Sequence, residues 1–509
     1  MKILLAGPGT GKTTKIKEII KSEGNGSRFL IISFTNATVN DLQQSLKEQN
    51  ISEKNCMTLH KFAVKYNHDK QRVILSRTEE LILKKISKKL EIDFDTYCDS
   101  LTCTTFQQMI KRFVEFSNTN KTYLSNNLSD FDTLIVDEYQ DFNPLEQQLI
   151  DLLVEYFKEV YILGDDDQCI YDFKDASSEK IISFYNDGMI EKLPHENICY
   201  RCPDLVVNYG SNLISNNKNR VEKEWKTNNI EGSVKYIQTN TLEEMSKDIV
   251  KNISGIPSDE SIIILSPVKF LIEPLISRLN ESGIEHENLF NPLLPDELEI
   301  KAWEVKSLYG HFRELNLIFL SYSLLTNRKK FYKLLKEMFD KGLDYEKLYE
   351  DISKKIPSEM TNSDQDIEDY LSSERYAEIK SLYEESKGDN ENEKLLNLFR
   401  QNDVIAAKTI RVMSIHKSKG LGADNVFIIG LVQGILPNAQ RGNDSLESQR
   451  RLLYVGITRT KKRLFLYSSI KLEGKLVNKV DKSSFKFSYK DRLYDGMASS
   501  FINELKLEE

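Results

Sequence analysis

The chain has 509 residues, 40 % of them hydrophobic and 29 % charged, with a formal net charge of −8. That length calls for roughly two to four domains of ordinary globular composition. No run approaches twenty uninterrupted apolar residues, which excludes an apolar spanning helix; six cysteines do not make a disulfide scaffold; and the acidic balance argues against an indiscriminate polyanion binder while leaving room for a local basic channel.

Residues 2–13 read K-I-L-L-A-G-P-G-T-G-K-T. A short apolar strand over 3–6 runs into a glycine loop, and a helix is predicted over 15–21. Gly7, Gly9 and Gly11 let the backbone turn its N–H groups toward a phosphate, and the helix N-terminus adds its positive dipole end. Lys12 can reach the β- and γ-phosphates, and Thr13 can place a hydroxyl on Mg²⁺. Ala6 stands where the first glycine of such a loop is usual. The loop follows Met1 almost at once, so no cleavable leader is expected and a reducing, cytoplasmic setting is.

Strand-like runs follow at 29–33, 133–136, 160–163, 261–265, 426–429 and 464–467, separated by amphipathic helical stretches. This is α/β grammar, with parallel sheets flanked by helices. Residues 67–128 and 300–404 break the rhythm. Both read as mainly helical insertions carried on α/β cores.

The strand at 133–136 ends in Asp137 and Glu138. In a nucleotide enzyme the first acid would hold Mg²⁺ through water and the second would polarise the attacking water. The strand at 160–163 ends in Gly164, three aspartates and Gln168, whose amide can sense a terminal phosphate. Tyr171 and Phe173 follow at alternate spacing, either as ring faces for bases or as core aromatics. The spacing of His195, Cys199 and Cys202 resembles half a zinc site, yet no second close pair completes it and buried thiols are expected. Arg201 and Arg459 lie far from Lys12 in sequence. If they arrive from a second domain, a nucleotide between the domains would hold them closed, and hydrolysis would release them.

Taken in order, the segments resemble the UvrD/Rep/PcrA family of superfamily 1 (SF1A) DNA helicases. They are A-G-P-G-T-G-K-T at 6–13, S-F-T-N-A at 33–37, T-L-H-K-F at 58–62, V-D-E-Y-Q-D at 136–141 and G-D-D-D-Q-C-I-Y-D-F-K-D-A at 164–176. Then come Y-R-C-P at 200–203, I-H-K-S-K-G-L at 415–421, R-R-L-L-Y-V-G-I-T-R-T-K-K at 450–462 and S-F-I-N-E-L at 500–505. The resemblance implies an α/β fold of two RecA-like P-loop NTPase cores with two mainly helical insertions. Core 1A would use 1–66 and 129–191, insertion 1B 67–128, core 2A 192–298 and 405–509, and insertion 2B 299–404.

It also implies an ATP- and Mg²⁺-dependent motor moving 3′ to 5′ on single-stranded DNA and at junctions with duplex. Ala6, Gly7, Pro8, Gly9, Thr10, Gly11, Lys12, Thr13 and Thr14 would line the nucleotide, with Thr13 and Asp137 on the metal. Glu138, Gln168, Arg201 and Arg459 would join Lys12 in hydrolysis, and Tyr200 would stack on the base. Phe34, Asn36, Thr58, His60, Tyr171, Phe173, Lys174, His416 and Lys417 would serve the DNA path. Phe173 stands where the family usually has tryptophan, and Lys174 where it has arginine.

Three departures qualify the resemblance. The family's adenine-reading glutamine segment has no place before the loop, so weaker discrimination of ATP from other nucleoside triphosphates is expected. Gly422 replaces a usual glutamate. The insertions are short, so single-strand translocation is expected to be better than unwinding unless a partner or a second copy helps. The alternative function is a DNA-stimulated ATPase subunit of a repair or anti-phage complex. RNA remains a possible strand, because no motif senses a 2′-hydroxyl.

Overall fold

The computed structural model describes residues 1–22, 28–34, 36–48, 55–69, 71–290, 410–438 and 444–507, together with isolated positions between 303 and 336. They form two compact units. The first comprises Met1–Tyr66, Phe113–Phe290 and Ala406–Glu509; the second comprises Asn67–Arg112 and Asn291–Ile405.

The first unit holds two six-stranded sheets, consistent with tandem RecA-like domains. In spatial order, the first runs Cys56–Thr58, Phe29–Ser33, Thr133–Val136, Glu159–Gly164, Lys2–Leu5 and Glu191–Lys192. Every pairing in it is parallel. The second runs His286–Asn288, Ile410–Ser414, Ile262–Ser266, Ala423–Ile428, Thr460–Ser469 and Ser233–Thr239, again all parallel. All the strands expected from sequence are present, with ends moved by up to four residues.

The apolar runs form these strands because both faces of each sheet are covered by helices. Alternation decides which side chain goes where. In Ile262–Ser266, Ile263 and Leu265 enter one core with Val426, Ile428, Leu464 and Leu466. Ile262 and Ile264 enter the opposite core with Phe427, Phe465 and Tyr467. Phe427 and Phe465 stack there with centroids 4.4 Å apart. In the first sheet Leu4, Ile31, Ile135 and Leu163 meet Ile16 and Leu42 from the flanking helices.

Parallel register brings the carboxyl ends of the strands together, and with them every loop singled out above. Leu5 pairs with Gly164, Ile32 with Val136 and Ser33 with Thr58. The glycine loop, Phe34, Asp137 and Asp165 therefore leave one edge of one sheet, where α/β folds place ligands.

The second unit has its own core. The helix Arg77–Leu90 starts on a capping box between Ser76 and Glu79. Val73–Ile74 and Cys103–Thr104 make a small parallel pair that sequence reading did not foresee. Leu83, Ile86, Tyr97, Trp303 and Phe319 share one cluster, and the Trp303 indole donates to Glu79 Oε1 at 2.7 Å. The two inserted stretches thus contribute to one cluster. The β-branched and aromatic run near 104–116 is mostly the helix Phe106–Thr119, and Phe113, at its middle, already belongs to the first unit. Most of the helical expectation for 300–404 lies outside the described residues.

Candidate functional site

The glycine loop leaves Leu5 and turns at Gly9 (φ +71°) and Gly11 (φ +91°) into the helix Lys12–Ser22. A Cβ on Gly9 would lie 2.8 Å from Arg201 Cβ, so both the dihedral and the space require glycine there. Ala6 is fully buried in the core of the first sheet, which accepts its methyl. Lys12 Nζ donates to Ala6 O at 3.1 Å, and Thr10 Oγ1 donates to Gly7 O at 2.7 Å. The helix begins at Lys12, earlier than expected, because Lys15 N–H already bonds Gly11 O at 2.9 Å.

Residues from the start of the second core grip this loop. Gly7 N–H donates to Asn197 Oδ1 at 2.7 Å, the Trp225 indole donates to Pro8 O at 3.0 Å, and Tyr200 N–H donates to Gly9 O at 2.8 Å. Arg201 is thereby brought beside the loop, while the Tyr200 ring is 63 % exposed, as a stacking surface needs to be. Neither Asn197 nor Trp225 was flagged by sequence. No motif spacing links them to the loop, although a lone tryptophan among lysines and glutamates at 222–226 is a weak signal.

Asp137 is buried, and its Oδ1 has no hydrogen-bond partner among the described residues. Burial, reinforced by the neighbouring Glu138, pushes its carboxyl up to about 7. A buried carboxylate oxygen left over in this way suits a divalent cation, and the Thr13 hydroxyl on the adjoining helix is the expected companion. Glu138 has φ +53°, an uncommon conformation for this residue. Burial alone would raise its carboxyl, but Lys12, then Lys419, Gln140 and Arg459, outweigh it and hold the group near 2. Glu138 is thus ionised and surrounded by cations.

Gln140 relays between the two acidic strand ends. Its Nε2 donates to Glu138 Oε2 at 2.6 Å, and its Oε1 accepts from Asp165 N–H at 2.9 Å. Gln168 Nε2 donates to Asp165 Oδ2 at 2.7 Å. Its other amide atom, Oε1, accepts from Arg459 Nη2 at 3.1 Å. Arg459 is buried and also donates to Val455 O at 2.8 Å and Leu421 O at 3.3 Å. Burial, with Arg201 close by, lowers its proton affinity to about 10, which leaves it charged at neutral pH. Gly422 abuts this group, 3.9 Å from Arg201 Cδ as measured from where its Cβ would be.

The structure adds Lys419 and Asp141 to the residues that sequence assigned roles. Lys419 Nζ donates at 2.6 Å both to Asp141 Oδ1 and to Gln168 O. Asp165, Asp166 and Asp167 cluster closely enough to hold a metal ion. A protein cation is there instead: Lys223 Nζ lies 3.1, 2.6 and 2.6 Å from the three carboxylates, and Arg220 grips Asp167 through both oxygens. Three buried acids in a row were the available clue, since buried charge requires a counter-ion. Among the described residues His195, Cys199 and Cys202 do not form a metal cluster. Cys199 Sγ accepts from Cys202 N–H and Cys202 Sγ donates to Thr458 O, both at 3.3 Å.

A row of rings runs beside the residues expected to meet a nucleotide. Phe34 lies 5.1 Å from Tyr171, Tyr171 5.9 Å from Phe173, and Phe173 5.4 Å from His416, measured between centroids. Lys174 Nζ sits 5.5 Å from the Phe34 ring and 5.3 Å from Tyr171. Tyr171 is partly buried, whereas Phe173 is 60 % exposed, so Phe173 is the available stacking face. The row joins the carboxyl ends of both sheets.

Other expected strand contacts have structural partners. Thr58 is buried, with Oγ1 accepting from Lys61 N–H at 3.1 Å at the start of a helix. His60 Nε2 lies 3.2 Å from Glu146 Oε1, and Lys417 Nζ donates to Leu289 O at 2.6 Å. The Asn36 side chain lies outside the described residues.

Comparison with known proteins gives an independent view. Residues 1–174 match the family described as AAA domain, and residues 321–471 match the UvrD-like helicase C-terminal domain. The chain is 25 % identical to DNA helicase II of Rickettsia typhi over 91 % of its own length and 89 % of the relative's. It is 25 % identical to the ATP-dependent DNA helicase PcrA of Staphylococcus epidermidis, covering 90 % of this chain and 68 % of that one. Against the ATP-dependent DNA helicase Rep of Buchnera aphidicola the identity is 28 %, over 65 % and 62 % of the two chains. These similarities support placement in the UvrD/Rep/PcrA-like superfamily 1 helicases.

Proposed function

We propose that this chain is an SF1A motor that hydrolyses ATP in the cleft between its two α/β cores and moves 3′ to 5′ along single-stranded DNA, in repair, recombination or replication restart in the cytoplasm. The reading rests above all on one observation. Gln168, bonded to Arg459 of the second core, is separated by two residues from Tyr171, which joins the ring row ending at His416. A change at the terminal phosphate therefore has a short covalent route to the strand-facing rings.

In this reading the loop from Ala6 to Thr14 cradles the triphosphate and Lys12 neutralises its β- and γ-oxygens. Thr13 and Asp137 would hold Mg²⁺, which when bound would neutralise phosphate charge. Glu138, kept ionised by the cations around it, orients the attacking water and accepts its proton. Arg201 and Arg459 meet the charge that develops on the transferring group. Gln168 registers whether that group is present. Phosphate loss removes the anion that holds Lys12 and the two arginines together, and the cores separate. Phe34, Tyr171, Phe173, Lys174 and His416 hold bases and backbone during the stroke.

The test is ATP hydrolysis with and without single-stranded DNA, repeated with Lys12→Ala. Stimulation by DNA that vanishes in the variant supports the motor; turnover indifferent to DNA sinks it. A second reading, a DNA-stimulated ATPase subunit with little unwinding of its own, is favoured by the short first insertion. Strand separation by strictly monomeric protein would rule that second reading out.

A further inference from the structure

The last strand of the second sheet, Thr460–Ser469, is followed by a small antiparallel sheet that no motif accounts for. It is built from Lys471–Leu472, Leu493–Asp495 and Lys486–Ser488, in that spatial order. Phe485, buried in the core of the second sheet, anchors it. The outer strand is an edge, and it presents aromatic rings. Phe487 is 43 % exposed and Tyr489 is 90 % exposed. Tyr489 lies just past the strand, at the start of the turn, with its ring against that of Phe487. Phe487 lies 5.1 Å from the Tyr489 ring and 5.1 Å from that of Tyr494, its cross-strand partner.

The charges around the rings are mostly positive: Lys471, Lys482, Lys486, Lys490 and Arg492 stand against Asp491 and Asp495. Lys482 Nζ sits 5.7 Å from the Tyr494 ring. Lys486, Lys490 and Arg492 are exposed and form no ion pair with other described residues. The nearby acids, Asp491 and Asp495, both pair with Lys471, and Asp495 also stands opposite Lys486 across the strands. Within a chain of net charge −8, this hairpin is a local cationic patch carrying two solvent-exposed rings. Exposed aromatics on a strand edge invite aggregation unless something uses them. Rings flanked by unpaired cations match the two requirements of single-stranded nucleic acid, stacking for bases and positive charge for the backbone.

We propose that the hairpin at 486–495 is an accessory binding site for single-stranded DNA, with Phe487 and Tyr489 stacking on bases and Lys486, Lys490 and Arg492 facing the phosphates. The proposal rests on the reading that the chain works on single-stranded DNA, and it adds a contact outside the ring row from Phe34 to His416. The site would hold the strand while the cores change state.

The experiment uses the full chain without nucleotide and a fluorescent oligo-dT of about 30 nucleotides, long enough to reach beyond one short track. Phe487→Ala/Tyr489→Ala should weaken binding about tenfold, and Tyr489→Phe alone should bind as the parent does. Lys486→Glu/Lys490→Glu should flatten the dependence of log affinity on log salt by about 1 to 1.5. All these positions are exposed, so the variants are expected to fold; circular dichroism checks this. Unchanged affinity and salt slope in both double variants would overturn the proposal and assign the face to some other partner, such as a protein. So would failure of the parent chain to bind the oligonucleotide. Failure of the motor reading looks different: if ATP turnover ignores DNA while the double variants still lose binding, the hairpin site stands and the motor does not.

Discussion

The Trp225 indole donates its N–H to the Pro8 carbonyl at 3.0 Å and covers Gly7 so closely that a Cβ there would lie 2.8 Å from the ring. The glycine loop is thus shaped by its own glycines and also by a residue more than two hundred positions away. Trp225→Phe removes the donor and leaves a buried carbonyl unpaired, at a cost of about 1–3 kcal/mol. If the loop bears that cost, KM for ATP rises about tenfold with kcat less affected. An unaltered KM in the folded variant would show that the bond is incidental. Trp225 and Trp303 are the two tryptophans, so in Trp303→Phe protein the fluorescence of Trp225 should respond to added nucleotide.

Arg459 and Gln168 support a separable pair of outcomes. Arg459→Ala removes a guanidinium that the proposed mechanism places at the terminal phosphate and is expected to lower kcat by about three orders of magnitude or more. Gln168→Ala leaves Arg459 in place but cuts its bond to the first core. Basal hydrolysis should then survive better than its stimulation by DNA. Equal loss of basal and stimulated rates in Gln168→Ala would place this residue in the chemistry alone.

The Asp165–Asp167 cluster makes a prediction in pH. Burial would raise Asp167, but Lys223 and Arg220 hold it below the ordinary 3.8. Its stabilising contribution is therefore present above that value and lost as pH falls through the lower folded one. Burial raises Asp166 despite Lys223. Lys223→Met strips the shared ammonium and should destabilise the protein by about 3–5 kcal/mol at neutral pH. The remaining acids then take up protons more readily folded than unfolded. The variant should recover stability as pH falls from about 8 to about 5, by more than the parent does. Parallel stability–pH curves from denaturant melts would refute this account.

Phe173 is the exposed ring of the row from Phe34 to His416. Replacing it with alanine should weaken single-stranded DNA binding by about 1–3 kcal/mol, and tryptophan should strengthen binding several-fold because its face is larger. Equilibrium titration with the same oligonucleotide decides both. A tryptophan variant that binds no better would mean that Phe173 contacts the strand by its edge or not at all.

Much of this was legible in advance because the informative segments are local. An apolar run followed by G-T-G-K-T, or by Asp137-Glu138, carries its own strand, turn and chemistry within a dozen residues. Parallel pairing then gathers such segments at one edge without further instruction. Asn197, Trp225, Arg220, Lys223 and Lys419 escaped because their meaning lies in partners far along the chain. Gly7 and Asn197 are 190 residues apart, and Lys419 and Asp141 are 278 apart. The hairpin at 486–495 escaped for a different reason. Its residues alternate too briefly to signal a strand, and its rings gain significance only once they are seen to face solvent.

Sequence alone therefore determined the α/β architecture and singled out the glycine loop proposed to bind phosphate, since backbone turns and strand periodicity are short-range properties. Tertiary structure decided which buried acid is left for a cation and which is already paired. It also decided which rings are open and which side chains brace the loop. Those outcomes depend on desolvation and on contacts closed across long stretches of chain, and neither is encoded in any single segment.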